Sequence, residues 1–222
     1  MPVGDVSDDH LFQVRFCLTR TNDRSYSSIM NKGADTKLVI LKAGLKMASR
    51  LGLESVTIGS LAKATGLSKS GLFAHFQSKE NLQVAILRYA GEVFAENVLV
   101  PALVVEGGLE RIRAMAGNWI HWTEDLTDGC IFSSAGNDFK NRPGKVRDFL
   151  INQQADWVGC LQRLGESARR KGAFRQDADC EQFAYELYSL LLGHHYYNKL
   201  LQDRETQARQ TAALEKLLDA YR

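Results

Sequence analysis

The side chains best placed to do chemistry lie in one stretch, TIGSLAKATGLSKSGLFAHFQSK, at residues 57–79. Ser68, Lys69 and Ser70 are consecutive there, and Gly71 follows them. Hydroxyl groups, an ammonium group and the free backbone N–H groups at the start of a helix all bind phosphate oxygens. The stretch therefore predicts a surface that binds an anionic partner.

Two short amphipathic helices joined by a sharp turn must position these groups. Thr57 is a suitable N-cap for the first helix, Gly66 closes it, and Ser68 caps the second. Apolar side chains at helical spacing predict the inner face of each helix. These faces consist of Ile58, Leu61, Ala62 and Thr65 on the first helix, and of Leu72, Phe73 and Phe76 on the second.

A helix pair of this kind is a helix-turn-helix, here predicted over residues 57–76. It needs a small residue where the helices cross, which is Ala62, and a turn that tolerates glycine, which is Gly66. Small polar residues at the start of the second helix let it enter the major groove, which is about 12 Å wide. The pattern therefore predicts binding to double-stranded DNA.

The rest of the chain also favours helices, so we expect an all-α fold. Only three prolines occur in 222 residues, and aliphatic side chains recur at spacings of three and four. Leu38, Leu41, Leu45 and Ala48 predict the inner stripe of a helix from about residue 35 to residue 51. Further helices are predicted at about residues 78–98 (ending before Pro101), 107–124, 143–171, 179–201 and 206–221, whereas residues 129–139 are ambiguous.

The basic residues are concentrated in one part of the chain. Residues 31–94 carry nine Lys or Arg and four acidic residues, although the formal net charge of the whole chain is only +2. Such a segment is expected where part of a protein meets a polyanion, although a solvated face of a lysine-rich helix has the same composition.

Other features indicate a cytoplasmic protein that does not associate with a membrane. No apolar run reaches the roughly 18 residues of a membrane span, and residues 1–30 lack the apolar core of a secretory signal. Cys17, Cys130, Cys160 and Cys180 are scattered without a CxxC pair, which is typical of reduced thiols.

Residues 34–94 resemble the DNA-binding domain of the TetR family of bacterial transcriptional regulators. The family pattern has a Thr opening the second helix, Ala-x-x-x-Gly-Leu-Ser at the turn, and then Lys-x-x-Leu-aromatic-x-His-Phe-x-x-Lys-x-x-Leu. The stretch SVTIGSLAKATGLSKSGLFAHFQSKENL follows this pattern in register. The resemblance implies a three-helix DNA-binding domain followed by a larger helical domain.

The resemblance also implies which residues meet DNA. Thr57 and Lys79 correspond to phosphate contacts at helix starts, and the others lie against the groove or its walls. Phe73 stands where the family usually has tyrosine, so either the anchoring to phosphate is weaker or the ring serves packing. The implied DNA-binding residues are Thr57, Thr65, Ser68, Lys69, Ser70, Gly71, Phe73, His75 and Lys79.

Residues 95–222 resemble the ligand-binding and dimerisation half of the family, through GCIFSSAGNDFKNRPGKVRDFL and ARRKGAFRQDADCEQFAYELYSLLLG. The resemblance implies a homodimer formed by the last two helices, with two reading helices about 34–36 Å apart on a palindromic site. The apolar stripes expected at that interface are Phe183, Leu187, Leu190, Leu191 and His194 on one helix, and Leu214, Leu217, Leu218 and Tyr221 on the other.

Aromatic residues of this half either line an effector pocket between helices or simply fill the core. The candidates are Trp119, Trp122, Phe132, Phe139, Trp157 and Tyr188. His194 and His195 invite a metal interpretation, but neighbours on a helix point about 100° apart, so packing competes with it. Cys130 is either a redox sensor or a buried apolar thiol.

The sequence therefore predicts a transcriptional regulator, as a repressor that a small-molecule effector releases from DNA. We expect no enzyme activity, cofactor or metal site, since there is no Gly-rich phosphate loop, no Glu-x-x-His pair and no GxSxG motif. The alternative is a helical adaptor that keeps the helix-turn-helix as a scaffold without binding DNA.

Residues 1–33 form an N-terminal extension that we expect to be poorly structured. Its apolar positions are irregular, and Met30 lies directly before the first helix. The extension is either an upstream segment outside the native start or an arm that adds contacts. Three arginines against four aspartates in residues 1–30 make it a poor arm for DNA.

Overall fold

The computed structural model describes residues 32–125 and 130–222, and this part of the chain is helical without any strand. The predicted extension at residues 1–33 falls almost wholly outside the described residues. In chain order the helices are α1 (Lys32–Leu51), a 3₁₀ turn (Leu53–Ser55), α2 (Ile58–Thr65), α3 (Lys69–Phe76), α4 (Lys79–Phe94), a π-helical turn (Ala95–Leu99), α5 (Val100–Leu103), α6 (Leu109–Asp125), α7 (Ile131–Phe139), α8 (Lys145–Arg170), α9 (Cys180–Lys199) and α10 (Thr206–Tyr221).

The described residues form two compact units that interleave along the chain. We call residues 32–93 and 130–153 the N-terminal unit, and residues 94–125 and 154–222 the C-terminal unit. The N-terminal unit thus combines the helix-turn-helix region with α7 and the first turns of α8. None of the described helices has the length and apolarity needed to cross a bilayer.

A glycine controls the packing of α1 in the N-terminal unit. A Cβ atom at Gly44 would lie 2.6 Å from Cδ1 of Ile86, a side chain of α4 that is fully buried. Among residues 35–51 of α1, the buried positions are Ile40, Gly44 and Ala48. The predicted stripe was wrong at its first member, because Leu38 is 41% exposed.

Two predicted helix boundaries also need correction. The path of α4 does not stop before Pro101 but continues through the π-helical turn into α5, with Pro101 in the first turn of α5. A proline ring clashes with the carbonyl four residues earlier in a regular helix, and the wider π turn immediately precedes it here. Helix α8 begins at Lys145, two residues after Pro143, because Gly144 between them has φ 143°.

The C-terminal unit is held by an aromatic cluster and an ion pair. The rings of Phe174, Phe183 and Tyr221 lie 5.0–5.5 Å apart, with Phe183 on α9 and Tyr221 on α10. Arg113 on α6 donates to both carboxylate oxygens of Glu215 on α10, at 2.8 and 2.7 Å. This bidentate pair lowers the pKa of Glu215 and joins two helices that are distant in sequence.

The stripes predicted for the dimer interface mostly belong to the core of the chain itself. Phe183, Leu187, Leu191 and His194 are buried within the chain, and Leu190 is half-buried. All four residues predicted on α10 are buried as well, because α9 and α10 pack against each other. Three exposed apolar residues, Tyr185 and Tyr196 of α9 and the adjoining Leu200, lie on another face.

Replacing Gly44 with Ala should lower the free energy of unfolding. The added methyl group overpacks the contact with Ile86, at a cost of about 1–3 kcal/mol. This cost exceeds the helix-propensity gain of up to about 1 kcal/mol. Chemical denaturation of both proteins measures the difference.

Gly117→Ala is the matched control, because no described residue outside its own helical turn lies within 4 Å of a Cβ atom at this exposed position of α6. We expect it to raise the free energy of unfolding by up to about 1 kcal/mol. Equal gains in the two variants would show that Ile86 has room to move.

Candidate nucleic-acid interface

The start of α2 is fixed by a reciprocal pair of hydrogen bonds. The N–H group of Ser60 donates to Oγ1 of Thr57 at 3.0 Å, and the N–H group of Thr57 donates to Oγ of Ser60 at 2.9 Å. This capping box confirms Thr57 as the N-cap. The Thr57 hydroxyl is therefore held in place at the positive end of the helix.

The turn between α2 and α3 follows the predicted residues closely. Gly66 ends α2 with φ 71° and ψ 10°, the left-handed conformation that glycine adopts most readily. Oγ1 of Thr65 donates to the carbonyl of Leu61 at 2.7 Å. Leu61 and Ala62 are buried where α2 packs against α3.

The start of α3 presents small polar groups to solvent. Oγ of Ser68 accepts from the N–H group of Gly71 at 3.1 Å, which confirms Ser68 as the N-cap. The hydroxyl groups of Ser68 and Ser70 lie 3.2 Å apart. Ser68, Lys69, Ser70 and Gly71 are all exposed, and so is His75 further along the helix.

The inner face of α3 is narrower than predicted. Leu72 and Phe76 are buried, whereas Phe73 is 55% exposed. Positions 72 and 76 are one helical turn apart, and position 73 is rotated by about 100° from position 72. The interpretation that Phe73 serves packing is therefore wrong, and its ring lies on the outer surface of the domain.

Two of the predicted DNA-binding residues, Thr57 and Lys69, lie near each other at the start of α2. A Cβ atom at Gly59 would lie 3.8 Å from Oγ1 of Thr57 and 3.9 Å from Cε of Lys69. The side chain of Lys69 therefore extends from α3 toward the N-terminus of α2. An ammonium group and a capped helix start thus occupy one surface.

Lys79, at the start of α4, has a partner that the sequence did not reveal. Its Nζ atom lies 2.7 Å from Oε1 of Glu54, which belongs to the 3₁₀ turn after α1. Ser78 caps α4 by accepting from the N–H group of Asn81 at 3.1 Å, as predicted. The residue before it, Gln77, has φ 64°, so α3 ends in a left-handed residue that is not glycine.

Three residues that matter to this surface were missed: Ser60, Glu54 and Gln77. Ser60 stands three residues after a Thr N-cap, where a capping box usually has Glu or Gln. That spacing was a usable signal, because a serine hydroxyl can make the same bond. The sequence offers no such signal for Glu54, since its partner lies 25 residues away.

Comparisons with known proteins match both the helix-turn-helix region and the larger helical region that follows it. Residues 40–86 match the family model described as bacterial regulatory proteins of the tetR family, and residues 108–214 match the tetracyclin repressor-like C-terminal domain. The chain belongs to the TetR family. It is therefore a DNA-binding transcriptional regulator, as the resemblance predicted.

Two curated relatives of this TetR-family chain are transcriptional repressors. AcnR of Corynebacterium glutamicum is 36% identical over 84 residues, which cover 36% of this chain and 44% of AcnR. The match thus spans less than half of that relative. ComR of Escherichia coli is 24% identical over 182 residues, which cover 80% of this chain and 81% of ComR.

A solved structure of AibR with isovaleryl coenzyme A and operator DNA has the same fold. It superposes with a TM-score of 0.63 at 21% sequence identity, covering 83% of this chain and 97% of AibR. Both halves of the TetR architecture are therefore present in this chain.

The six candidate effector residues of this TetR-family chain are divided between the two units. Phe132 and Phe139 are buried in the N-terminal unit, and the other four lie in the C-terminal unit. Trp122 and Trp157 both pack edge-to-face on Phe94. The ring centroid of Phe94 lies 6.1 Å from that of Trp122 and 5.1 Å from that of Trp157. Tyr188 packs edge-to-face on Trp157 at 6.5 Å.

Burial limits the chemistry of the histidine and cysteine candidates. His194 is buried, and its Nε2 atom lies 3.6 Å from Oε1 of Glu124. Burial lowers the pKa of His194, which favours the neutral ring. Burial raises the pKa of the Cys130 thiol, so it lacks the thiolate character of a redox sensor. The described residues contain no cluster of three or more metal-binding side chains.

Proposed function

We propose that this regulator is a repressor that binds a palindromic operator as a homodimer and leaves it when a small molecule binds. The observation that carries the proposal is the two-sided character of α3. Its polar N-terminal residues are exposed, whereas Leu72 and Phe76 anchor its opposite side. Both curated relatives are repressors, which supports the sign of regulation.

In this proposal residues 34–94 bind DNA, and residues 95–222 bind the effector and form the dimer, in the cytoplasm. Thr57 and Lys79 contact phosphates. Ser68, Lys69, Ser70 and His75 lie against the major groove or its walls, next to Thr65, Gly71 and Phe73. The shared surface of Thr57 and Lys69 supports this arrangement, because one phosphate can reach both side chains.

The dimer in this proposal uses the outer face of α9. Tyr185, Leu192, Tyr196 and Leu200 recur at spacings of seven and four, which places them on one side of the helix. Tyr185, Tyr196 and Leu200 are more than half exposed in the single chain. An exposed apolar stripe of this kind is expected where two copies pack together.

The effector in this proposal binds at the aromatic cluster of Phe94, Trp122, Trp157 and Tyr188. The cluster takes one ring from each of α4, α6, α8 and α9. The buried Nε1 atoms of Trp122 and Trp157 have no hydrogen-bond partner among the residues that the structure describes. Because unpaired buried donors are rare and costly, a ligand that offers hydrogen-bond acceptors would satisfy them. AibR binds an acyl thioester, which carries such acceptors.

Lys69→Ala should weaken binding to DNA from the region upstream of this gene. The variant loses one phosphate contact, so the slope of log K against log salt should flatten by roughly 0.9, and affinity should fall about fivefold to tenfold at about 0.1 M salt. Fluorescence anisotropy over a range of salt concentrations measures both quantities.

Lys46→Ala is the control for this experiment, because it removes the same charge from an exposed position of α1. It should keep the wild-type salt slope. A Lys69→Ala protein that behaves like this control would remove Lys69 from the interface. Wild-type protein that does not bind this DNA would favour the adaptor alternative.

Tyr196→Glu should convert the dimer to a monomer, since it places a charge in the apolar interface. Sedimentation velocity measures the change, and affinity for a palindrome should fall to that for a half-site. Val104→Glu is the control, because Val104 is the most exposed large apolar residue outside α9 and α10 in the described chain. An unchanged dimer in Tyr196→Glu would exclude this face.

Carboxylates, amides and acyl thioesters form the test panel for the effector site. At least one of them should lower operator affinity, and Trp157→Phe should weaken its effect at least about tenfold, because a hydrogen bond to a buried group is lost. Trp119→Phe, on α6 outside the four-ring cluster, should respond like wild type. Operator affinity that ignores the whole panel would argue against an effector of this chemistry.

A further inference from the structure

Two cationic side chains meet at one carboxylate, that of Glu54, in the N-terminal unit. Glu54 pairs with Lys79 through Oε1 at 2.7 Å and with Arg142 through Oε2 at 3.2 Å. Glu54 and Lys79 lie within the part that matches the tetR family model, whereas Arg142 lies within the C-terminal domain match. Arg142, from the region that matches the C-terminal domain, thus forms an ion pair with Glu54, and Glu54 in turn pairs with the proposed phosphate contact Lys79.

The connection between α7 and α8 holds Arg142 in this position. The guanidinium group lies 5.6 Å from the ring centroid of Phe139, the buried last residue of α7. On the other side of Arg142, Nζ of Lys145 donates to Oδ1 of Asn81 at 3.2 Å, in the first turn of α4. Side chains of the connection and its flanks are therefore tied to both α7 and α4.

Glu54 and a DNA phosphate would compete for the same ammonium group. A carboxylate paired with Lys79 reduces the positive charge that the start of α4 offers to DNA. Arg142 weakens this competition, because it occupies the other oxygen of Glu54 and neutralises part of its charge. All three side chains are 39–56% exposed, so a phosphate can replace the carboxylate as the partner of Lys79.

We propose that Arg142 is a positioning residue for DNA binding. It keeps Lys79 available to phosphate by holding Glu54, and it does not touch DNA itself. The inference rests on the proposed function, in which Lys79 contacts the operator. If so, Arg142, in the region that matches the C-terminal domain, sets the strength of the DNA contact that Lys79 makes from the DNA-binding domain.

A double-mutant cycle on the full-length protein tests the proposal. Arg142→Ala should weaken operator binding about twofold to fivefold, the range of an exposed ion pair. Glu54→Gln should strengthen binding by a similar factor, because Lys79 loses its competitor. In the Glu54→Gln background, Arg142→Ala should have no further effect on operator affinity. In the wild-type background, Arg142→Lys should bind the operator more tightly than Arg142→Ala, because lysine can still pair with Glu54.

Two outcomes would overturn the proposal. Equal weakening by Arg142→Ala in both backgrounds would mean that Arg142 contacts DNA directly. Equal weakening by Lys140→Ala, an exposed cation of the same connection with no ion pair in the described structure, would mean that only the net charge matters. Thermal unfolding of each variant separates these effects from a loss of folded protein.

Lys79→Ala distinguishes failure of this inference from failure of its premise. If Lys79→Ala leaves operator affinity and salt slope unchanged, the proposed phosphate contact is wrong and the inference falls with it. If Lys79→Ala weakens binding while Arg142→Ala acts identically in the wild-type and Glu54→Gln backgrounds, the contact stands and only the role of Arg142 is overturned.

Discussion

The DNA-binding surface depends on the burial of two side chains, Leu72 and Phe76, on one side of an eight-residue helix. A helix of this length is not stable alone in water, because the cost of nucleation exceeds the gain from so few hydrogen bonds. Packing against α2 therefore has to hold α3 in place. Since the two anchors lie one turn apart, the polar start of α3 and the ring of Phe73 are left facing solvent. The same contacts that stabilise the helix thus orient it.

Local features of the fold could be predicted from the sequence, because their causes are local. The caps at Thr57, Ser68 and Ser78 and the turn at Gly66 each involve residues no more than four apart. The packing of α1 could not be predicted in the same way. Gly44 contributes no apolar area to a periodic pattern, yet its missing side chain is what brings α1 close to Ile86. A search for apolar stripes therefore placed Leu38 on the wrong side.

Periodicity also identifies an apolar face without identifying what covers it. The stripes of α9 and α10 were assigned to a partner chain, but Phe183, Leu187 and Leu218 are fully buried by the chain itself. Similarly, aromatic residues are common in cores and in pockets alike. Ring contacts in the structure join Trp122, Trp157 and Tyr188 to Phe94 in one cluster. Its two buried indole N–H groups, which have no hydrogen-bond partner among the described residues, mark that cluster as polar inside.

The proposed role of Arg142 rests on the ion pairs of Glu54, which are weak interactions. The partners of Glu54 lie 25 and 88 residues further along the chain, so no motif reveals them. Exposed pairs contribute about 0–1 kcal/mol to folding, because water solvates the separated charges nearly as well. That small contribution also means that a phosphate can displace the carboxylate at little cost. An exposed network of ion pairs can therefore adjust DNA affinity without lowering the stability of the fold. A buried Arg–Glu pair could not exchange partners so readily, because breaking it leaves an uncompensated buried charge.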